Sequence, residues 1–178
     1  MAAEPFTGST EHSPVTHHIL SVLVENKAGV LARVAGLFSR RGFNISSLAV
    51  APSDDDATFS RITIVVDAES TPIAQVVGQL NKLLNVVEIR DMAPAEATER
   101  ELLLGTVTIE AADRGHLLQS VAHAGASIID FSADKVTVSL SGTPAHITAF
   151  EALLLKSYPS TEIKRTGLVA LPRLNPQV

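Results

Sequence analysis

One pattern of secondary structure occurs twice in succession along this chain, and it constrains the fold more than any other feature. In the first copy, short apolar runs typical of buried strands alternate with segments whose apolar residues recur at helical spacing. The pattern predicts strands at 19–24, 43–51, 59–66 and 86–92, with helices at 30–41 and 72–84. The order β-α-β-β-α-β is that of a ferredoxin-like domain. Five apolar residues lie on one face of the first predicted helix: Val30, Leu31, Val34, Leu37 and Phe38.

The second copy is less regular but follows the same order. Strands are predicted at 101–109, 127–132, 135–140 and 162–171, and the last of them is interrupted by Gly167. A helix at 113–123 is predicted to point Leu117, Leu118 and Val121 inward, and a second helix follows Pro144. Its inward residues are predicted to be Ile147, Phe150, Leu153 and Leu154. The predicted fold class is therefore α+β, with two ferredoxin-like βαββαβ domains.

The two copies divide the 178 residues almost completely. We expect a disordered N-terminal arm at 1–16, a first domain at 17–92, a linker at 93–99, a second domain at 100–173 and a tail at 174–178. Residues 1–16 have neither the basic segment nor the apolar segment of a signal peptide. No run approaches the roughly 18 apolar residues that cross a membrane.

Composition removes several classes of function. The chain contains no cysteine, which excludes disulfide scaffolds, thiolate metal sites and cysteine nucleophiles. Its formal net charge of −5 and its 4% aromatic content argue against a nucleic-acid-binding surface. We therefore expect a cytoplasmic protein with neither nucleic acid nor membrane as a partner.

Catalytic and metal-binding patterns are missing or incomplete along the sequence. No glycine-rich phosphate loop and no nucleophile elbow occurs. The run from Asp54 to Asp56 lacks the alternating ligands of a calcium loop and is predicted to be a solvated turn. The pairs His17–His18 and His116–His123 have no third ligand nearby. The basic residues Lys164, Arg165 and Arg173 are interpreted as solvated surface. The sequence thus predicts no catalytic residue and no metal site.

The segment from Glu25 to Leu31 joins the first strand to the first helix. The first turn of a helix presents N–H groups without internal partners and a partial positive charge, which together suit a small carboxylate. Gly29 permits close approach to the backbone, and the Asn26 amide both donates and accepts hydrogen bonds. The alternative is that Asn26 caps the helix while Gly29 relieves a tight turn, and residue chemistry alone favours that alternative.

A family resemblance adds to these observations. Residues 19–44, ILSVLVENKAGVLARVAGLFSRRGFN, closely resemble the ACT domain of the regulatory small subunit of acetohydroxyacid synthase, also called acetolactate synthase. The segments ISSLAVAPSDDDATFSRITIVV and QLNKLLNVVEIRDM continue in the same style, and downstream pieces such as RTGLVAL resemble that subunit's C-terminal domain. The resemblance covers residues 17–173.

The resemblance implies a subunit without an active site or cofactor of its own. It implies a homodimer formed through ACT domains, with valine bound at the interface, that activates a catalytic large subunit using thiamine diphosphate, Mg²⁺ and FAD. The effector residues implied on one protomer are Asn26, Ala28, Gly29, Val30 and Leu31. Asn44 and Ile45 of the other protomer would complete the site.

Two departures from the family pattern leave alternatives open. Many ACT loops carry aspartate and proline where this chain has Asn26 and Ala28, and a Phe-Arg pair is missing before Ile128. The alternatives are an ACT-type activator of a different thiamine-diphosphate enzyme and a free-standing amino-acid sensor.

Overall fold

The structure is a computed structural model that describes residues 17–53, 57–67 and 72–175. The elements of the first half are β1 (His17–Glu25), α1 (Val30–Arg41), β2 (Ile45–Pro52), β3 (Phe59–Asp67), α2 (Ile73–Leu80) and β4 (Val86–Met92). A single 3₁₀ turn at Pro94–Glu96 leads into the second half. The elements there are β5 (Ala97–Thr108), α3 (Arg114–His123), β6 (Ser127–Phe131), β7 (Lys135–Gly142), α4 (Pro144–Ser157), β8 (Glu162–Arg165) and β9 (Val169–Pro172).

Each half forms an antiparallel sheet with two helices. The strand order is β2-β3-β1-β4 in the first sheet and β6-β7-β5-β8 in the second, with β9 paired to the start of β5. The predicted α+β class with two ferredoxin-like domains is confirmed.

The helix-facing side of the first sheet forms one apolar core. Alternate residues of β1, namely Leu20, Val22 and Val24, point towards the helices and are almost fully buried. Val34 and Phe38 of α1 pack into the same cluster, so the helical spacing correctly predicts most of the apolar face of this helix. Burying each such side chain contributes about 1.5–3 kcal/mol, which fixes α1 over the sheet.

Several residues predicted to point inward are exposed instead. Leu84, the last residue of the helix predicted at 72–84 and one of its apolar stripe, is 98% exposed because α2 ends at Leu80 and the chain turns before β4. Leu31, Leu118 and Leu153 are 43%, 43% and 38% exposed. Each lies next to a buried residue of its helix, but one residue turns the helix by about 100° and carries the side chain off the buried face.

Some predicted strand ends are also corrected. The second strand begins at Ile45 rather than at 43, and the strand expected from 101 begins at Ala97, within the segment expected to be a linker. The final predicted strand divides at Gly167 into β8 and β9. The predictions for residues 1–16 and for Asp54 to Asp56 lie outside the described residues.

A bulge interrupts β2 near its start. Ile45 pairs with Val66 and Ser47 pairs with Val65, so Ser46 is an extra residue between them. Val66 belongs to the helix-side core, whereas Val65 belongs to a cluster on the opposite side of the sheet.

That opposite cluster joins the two domains. It contains Ile19, Val65, Met92, Ala97, Leu168 and Ala170, drawn from both halves of the chain. Polar contacts accompany it: the Leu168 N–H donates to Ser47 Oγ at 2.9 Å, and His17 Nε2 lies 3.3 Å from Glu99 Oε1. The C-terminal segment therefore packs directly on the first sheet.

Gly167 permits this close approach, and a substitution there tests the contact between the C-terminal segment and the first sheet. Its φ is +81°, and an added Cβ would lie 2.9 Å from Ser47 Oγ and 3.3 Å from Leu48 O. We expect Gly167→Ala to lower the free energy of unfolding by about 2 kcal/mol, because the left-handed backbone and the contact both oppose a side chain. Chemical denaturation of the full chain measures the change.

Gly78→Ala is the matched control. Gly78 lies in α2, and an added Cβ there meets nothing within 4 Å. Alanine should raise stability by about 0.5–1 kcal/mol at a helix-interior position. Equal changes at the two positions would contradict the role assigned to Gly167.

Candidate effector site

The loop between β1 and α1 ends in an open helix N-terminus. Gly29 occupies the N-cap position with φ of 82°, and no side chain caps α1. The Val30 N–H donates to Lys27 O at 3.2 Å, and the Arg33 N–H donates to Gly29 O at 3.0 Å. Within the described residues, the N–H groups of Leu31 and Ala32 have no acceptor. These groups are available to an anion.

Asn26 does not cap the helix, so that interpretation is wrong. Its Nδ2 donates instead to Ala57 O at 2.8 Å, and its main-chain N–H donates to Thr58 O at 2.8 Å. Both bonds tie the loop to the start of β3. The Asn26 Oδ1 has no donor among the described residues, so it remains as an acceptor in the loop that precedes α1.

The other loop residues differ in what they present to solvent. Ala28 and Gly29 are exposed, and Leu31 is half-exposed. Val30 is 4% exposed and packs in the first core, so a ligand can contact its main chain but not its side chain. The loop is thus accessible to a ligand, and the buried side chain of Val30 anchors it to the first core.

Asn44 and Ile45 lie at the other end of α1. The twelve residues Val30–Arg41 separate them from the loop, a distance of about 18 Å at 1.5 Å per residue. Asn44 is exposed, and Ile45 packs partly against the first core. One copy of the chain therefore does not bring the two groups of predicted effector residues together.

A polar network that the sequence did not indicate holds the loop from outside. Asn85, in the turn before β4, donates from Nδ2 to Glu25 Oε2 at 2.5 Å and accepts from Arg33 Nη1 at 2.8 Å. Lys27 Nζ also lies 3.0 Å from Glu25 Oε2. The hydrogen bond from Asn85, with a smaller contribution from Lys27, lowers the pKa of Glu25 below its ordinary value. No periodicity marks Asn85, because its role depends on contacts 52 and 60 residues away.

Two of the histidine candidates, His18 and His116, make pairwise contacts. His18 Nδ1 lies 2.9 Å from Asp91 Oδ1, and His116 Nδ1 lies 3.1 Å from the Tyr158 hydroxyl. Among residues 17–53, 57–67 and 72–175, no group of three or more His, Asp or Glu side chains could hold a metal ion.

The basic cluster separates into different environments. Lys164 is exposed, as interpreted, and pairs with Glu162 at 3.1 Å. Arg165 is not simply solvated surface, because it donates through Nε and Nη2 to both carboxylate oxygens of buried Glu101, at 2.9 and 2.6 Å. It also contacts Glu151 at 2.8 Å. The bond to Glu101 raises the pKa of Arg165.

Comparison with known proteins places both halves of the chain. Residues 20–88 match the family model described as the AHAS small subunit-like ACT domain, and residues 100–174 match the model of the small subunit of acetolactate synthase. The acetolactate synthase small subunit of Mycolicibacterium smegmatis is 45% identical over 158 residues, covering 88% of this chain and 91% of that protein. The chain belongs to the acetolactate synthase small-subunit family.

Further comparisons agree with this membership. The small subunit of Mycobacterium bovis is 47% identical over 163 residues, covering 90% of this chain and 94% of that protein. The crystal structure of the acetolactate synthase small subunit from Thermotoga maritima superimposes with a TM-score of 0.81 at 37% identity, covering 89% of this chain and 98% of that one. The architecture of the chain is thus that of an acetolactate synthase small subunit. None of its described helices is long and apolar enough to span a membrane.

Proposed function

We propose that this chain activates the catalytic large subunit of acetolactate synthase and confers feedback inhibition by valine on it. Family membership supports the partner, and the open N-terminus of α1 supports the ligand. The chain itself contributes no catalytic residue; thiamine diphosphate, Mg²⁺ and FAD would belong to the large subunit. The same proposal includes the domain boundaries, with an effector-binding domain at 17–92 and a second domain at 100–173. It also includes a cytoplasmic location.

The observation that carries the proposal is the separation of the effector residues along α1. Two copies related by a two-fold axis, with their α1 helices antiparallel, place the loop of one beside Asn44 of the other. Leu31, 43% exposed on α1, supplies apolar surface for such a contact. A homodimer through the first domains therefore completes two equivalent sites.

Within each site, the chemistry suits a small aliphatic amino acid. The free N–H groups of Leu31 and Ala32 would receive the carboxylate, and Asn26 Oδ1 would accept from the ammonium group. Ala28 and Gly29 leave space for a branched side chain, with Ile45 of the second copy as its apolar neighbour. A ligand shared between copies alters their geometry directly, and such coupling is typically worth about 1–3 kcal/mol.

Reconstitution with the large subunit tests the proposal. We expect the large subunit's rate to rise on addition of this chain and to fall again on addition of valine. Leucine and isoleucine are tested in the same way as alternative effectors. Full activation without any response to the three amino acids would contradict effector binding. Activation of a different thiamine-diphosphate enzyme instead would contradict the partner assignment.

A further inference from the structure

Asn85 joins the two ends of the effector loop through one side chain. Glu25 is the last residue of β1, and Arg33 is the fourth residue of α1, so the two flank the loop at 26–32. The Asn85 amide contacts both, at 2.5 Å to the Glu25 carboxylate and 2.8 Å to the Arg33 guanidinium. The Glu25 N–H also donates to Asn85 O at 2.9 Å. Asn85 itself lies on neither element.

The amide has only one favourable orientation. Its NH₂ group faces a carboxylate, which only accepts, and its oxygen faces a guanidinium, which only donates. A rotation by 180° would place like groups against each other at both ends. Hydrogen bonds to charged partners are stronger than those between neutral groups, so the two bonds hold the Asn85 amide in this one orientation.

We propose that Asn85 is a positioning residue that holds the β1–α1 loop in its ligand-binding geometry without contacting the ligand. This inference rests on the proposed function, since the loop it positions is the candidate effector site. Holding both ends fixes the separation between Asn26 and the free N–H groups of the first helical turn. Binding then does not have to order the loop, and the affinity is correspondingly higher.

Reversing the polarity of the bridge tests the inference. Asn85→Asp keeps an acceptor for Arg33 but places a second carboxylate against Glu25. We expect it to weaken valine binding by the full chain about tenfold, measured by calorimetry. In the double variant Glu25→Gln with Asn85→Asp, the introduced glutamine amide donates to the introduced aspartate, and Arg33 still pairs with that carboxylate. We expect the double variant to return within about threefold of the parent protein.

Two further measurements keep the outcomes distinct. Asn81→Asp is the matched control, because it adds the same charge at the end of α2, where the Asn81 side chain makes no hydrogen bond in the described structure. Hydrogen exchange of the amides at 26–32, without effector, reports loop order directly. It should quicken in Asn85→Asp, recover in the double variant and stay unchanged in Asn81→Asp.

The two hypotheses fail in different ways. If the parent protein binds no valine, the proposed function fails while the exchange data still decide the role of Asn85. Unchanged exchange and affinity in Asn85→Asp would overturn the positioning role. A double variant no better than the single one would overturn it too, since a general loss of structure is not repaired by a second substitution.

Discussion

Asn26→Ala is expected to raise the valine concentration needed for half-inhibition of the reconstituted enzyme by roughly 10- to 100-fold. A hydrogen bond to a charged group contributes about 1.5–3 kcal/mol, and the alanine removes the Oδ1 acceptor proposed for the ammonium group of valine. Activation of the large subunit should stay within about twofold, because the hydrogen bonds of Asn26 are made to Ala57 and Thr58 of the first domain and not to the second. The rate of the reconstituted enzyme without valine measures activation, and a titration with valine measures the concentration for half-inhibition.

Asn26 also tethers the loop to Ala57, and this second role needs its own control. Asn26→Asp keeps a side-chain acceptor, now charged, but removes the donor to the Ala57 carbonyl, so a loss of valine sensitivity in this variant points to the tether. Asn81→Ala removes an amide without any hydrogen bond in the described part of the chain and should leave inhibition unchanged. Full valine sensitivity in Asn26→Ala would reject Asn26 as an effector residue.

The largest effect on stability is expected at Arg165. Its partner Glu101 is 7% exposed and receives two hydrogen bonds from the guanidinium. Arg165→Met would leave that carboxylate buried without its charged partner, at a cost of about 2–4 kcal/mol given that the arginine is partly exposed. At about 2–4 °C per kcal/mol for a chain of this size, the melting temperature should fall by roughly 5–15 °C.

A pair of controls assigns that loss to the buried charge. Glu101→Leu combined with Arg165→Met replaces both partners by apolar groups and should recover most of the stability. Lys164→Met removes an exposed pair with Glu162 and should change stability by less than about 1 kcal/mol. A double variant as unstable as Arg165→Met would show that packing, rather than the unpaired carboxylate, causes the loss.

The helices and central strands were predictable because their signal is local. Val34, Leu37 and Phe38 recur at helical spacing, and Val136, Val138 and Leu140 alternate along β7, so each pattern reports burial directly. Leu84 and Leu118 fit similar patterns but are exposed, because a helix end or a shift of one position decides their burial.

The site was less predictable because its contacts are distant in sequence. The bond from Asn26 to Ala57 spans 31 residues, and those from Asn85 span 52 and 60. No spacing rule reports such pairs. The helix N-terminus could be inferred from the helical spacing that begins at Val30. Asn44 and Ile45 entered only through the family resemblance, since one chain keeps them about 18 Å from the loop.

The bulge at Ser46 connects the candidate site with the C-terminal segment over a short length of β2. Residues two apart on a regular strand face the same side, but the extra residue turns Ile45 towards the helices and Ser47 towards the C-terminal segment. Ile45 is a proposed ligand neighbour, and Ser47 accepts the hydrogen bond from Leu168. A movement of this strand start by a fraction of an ångström would therefore reach the second domain across one β repeat, about 7 Å, without passing through either hydrophobic core.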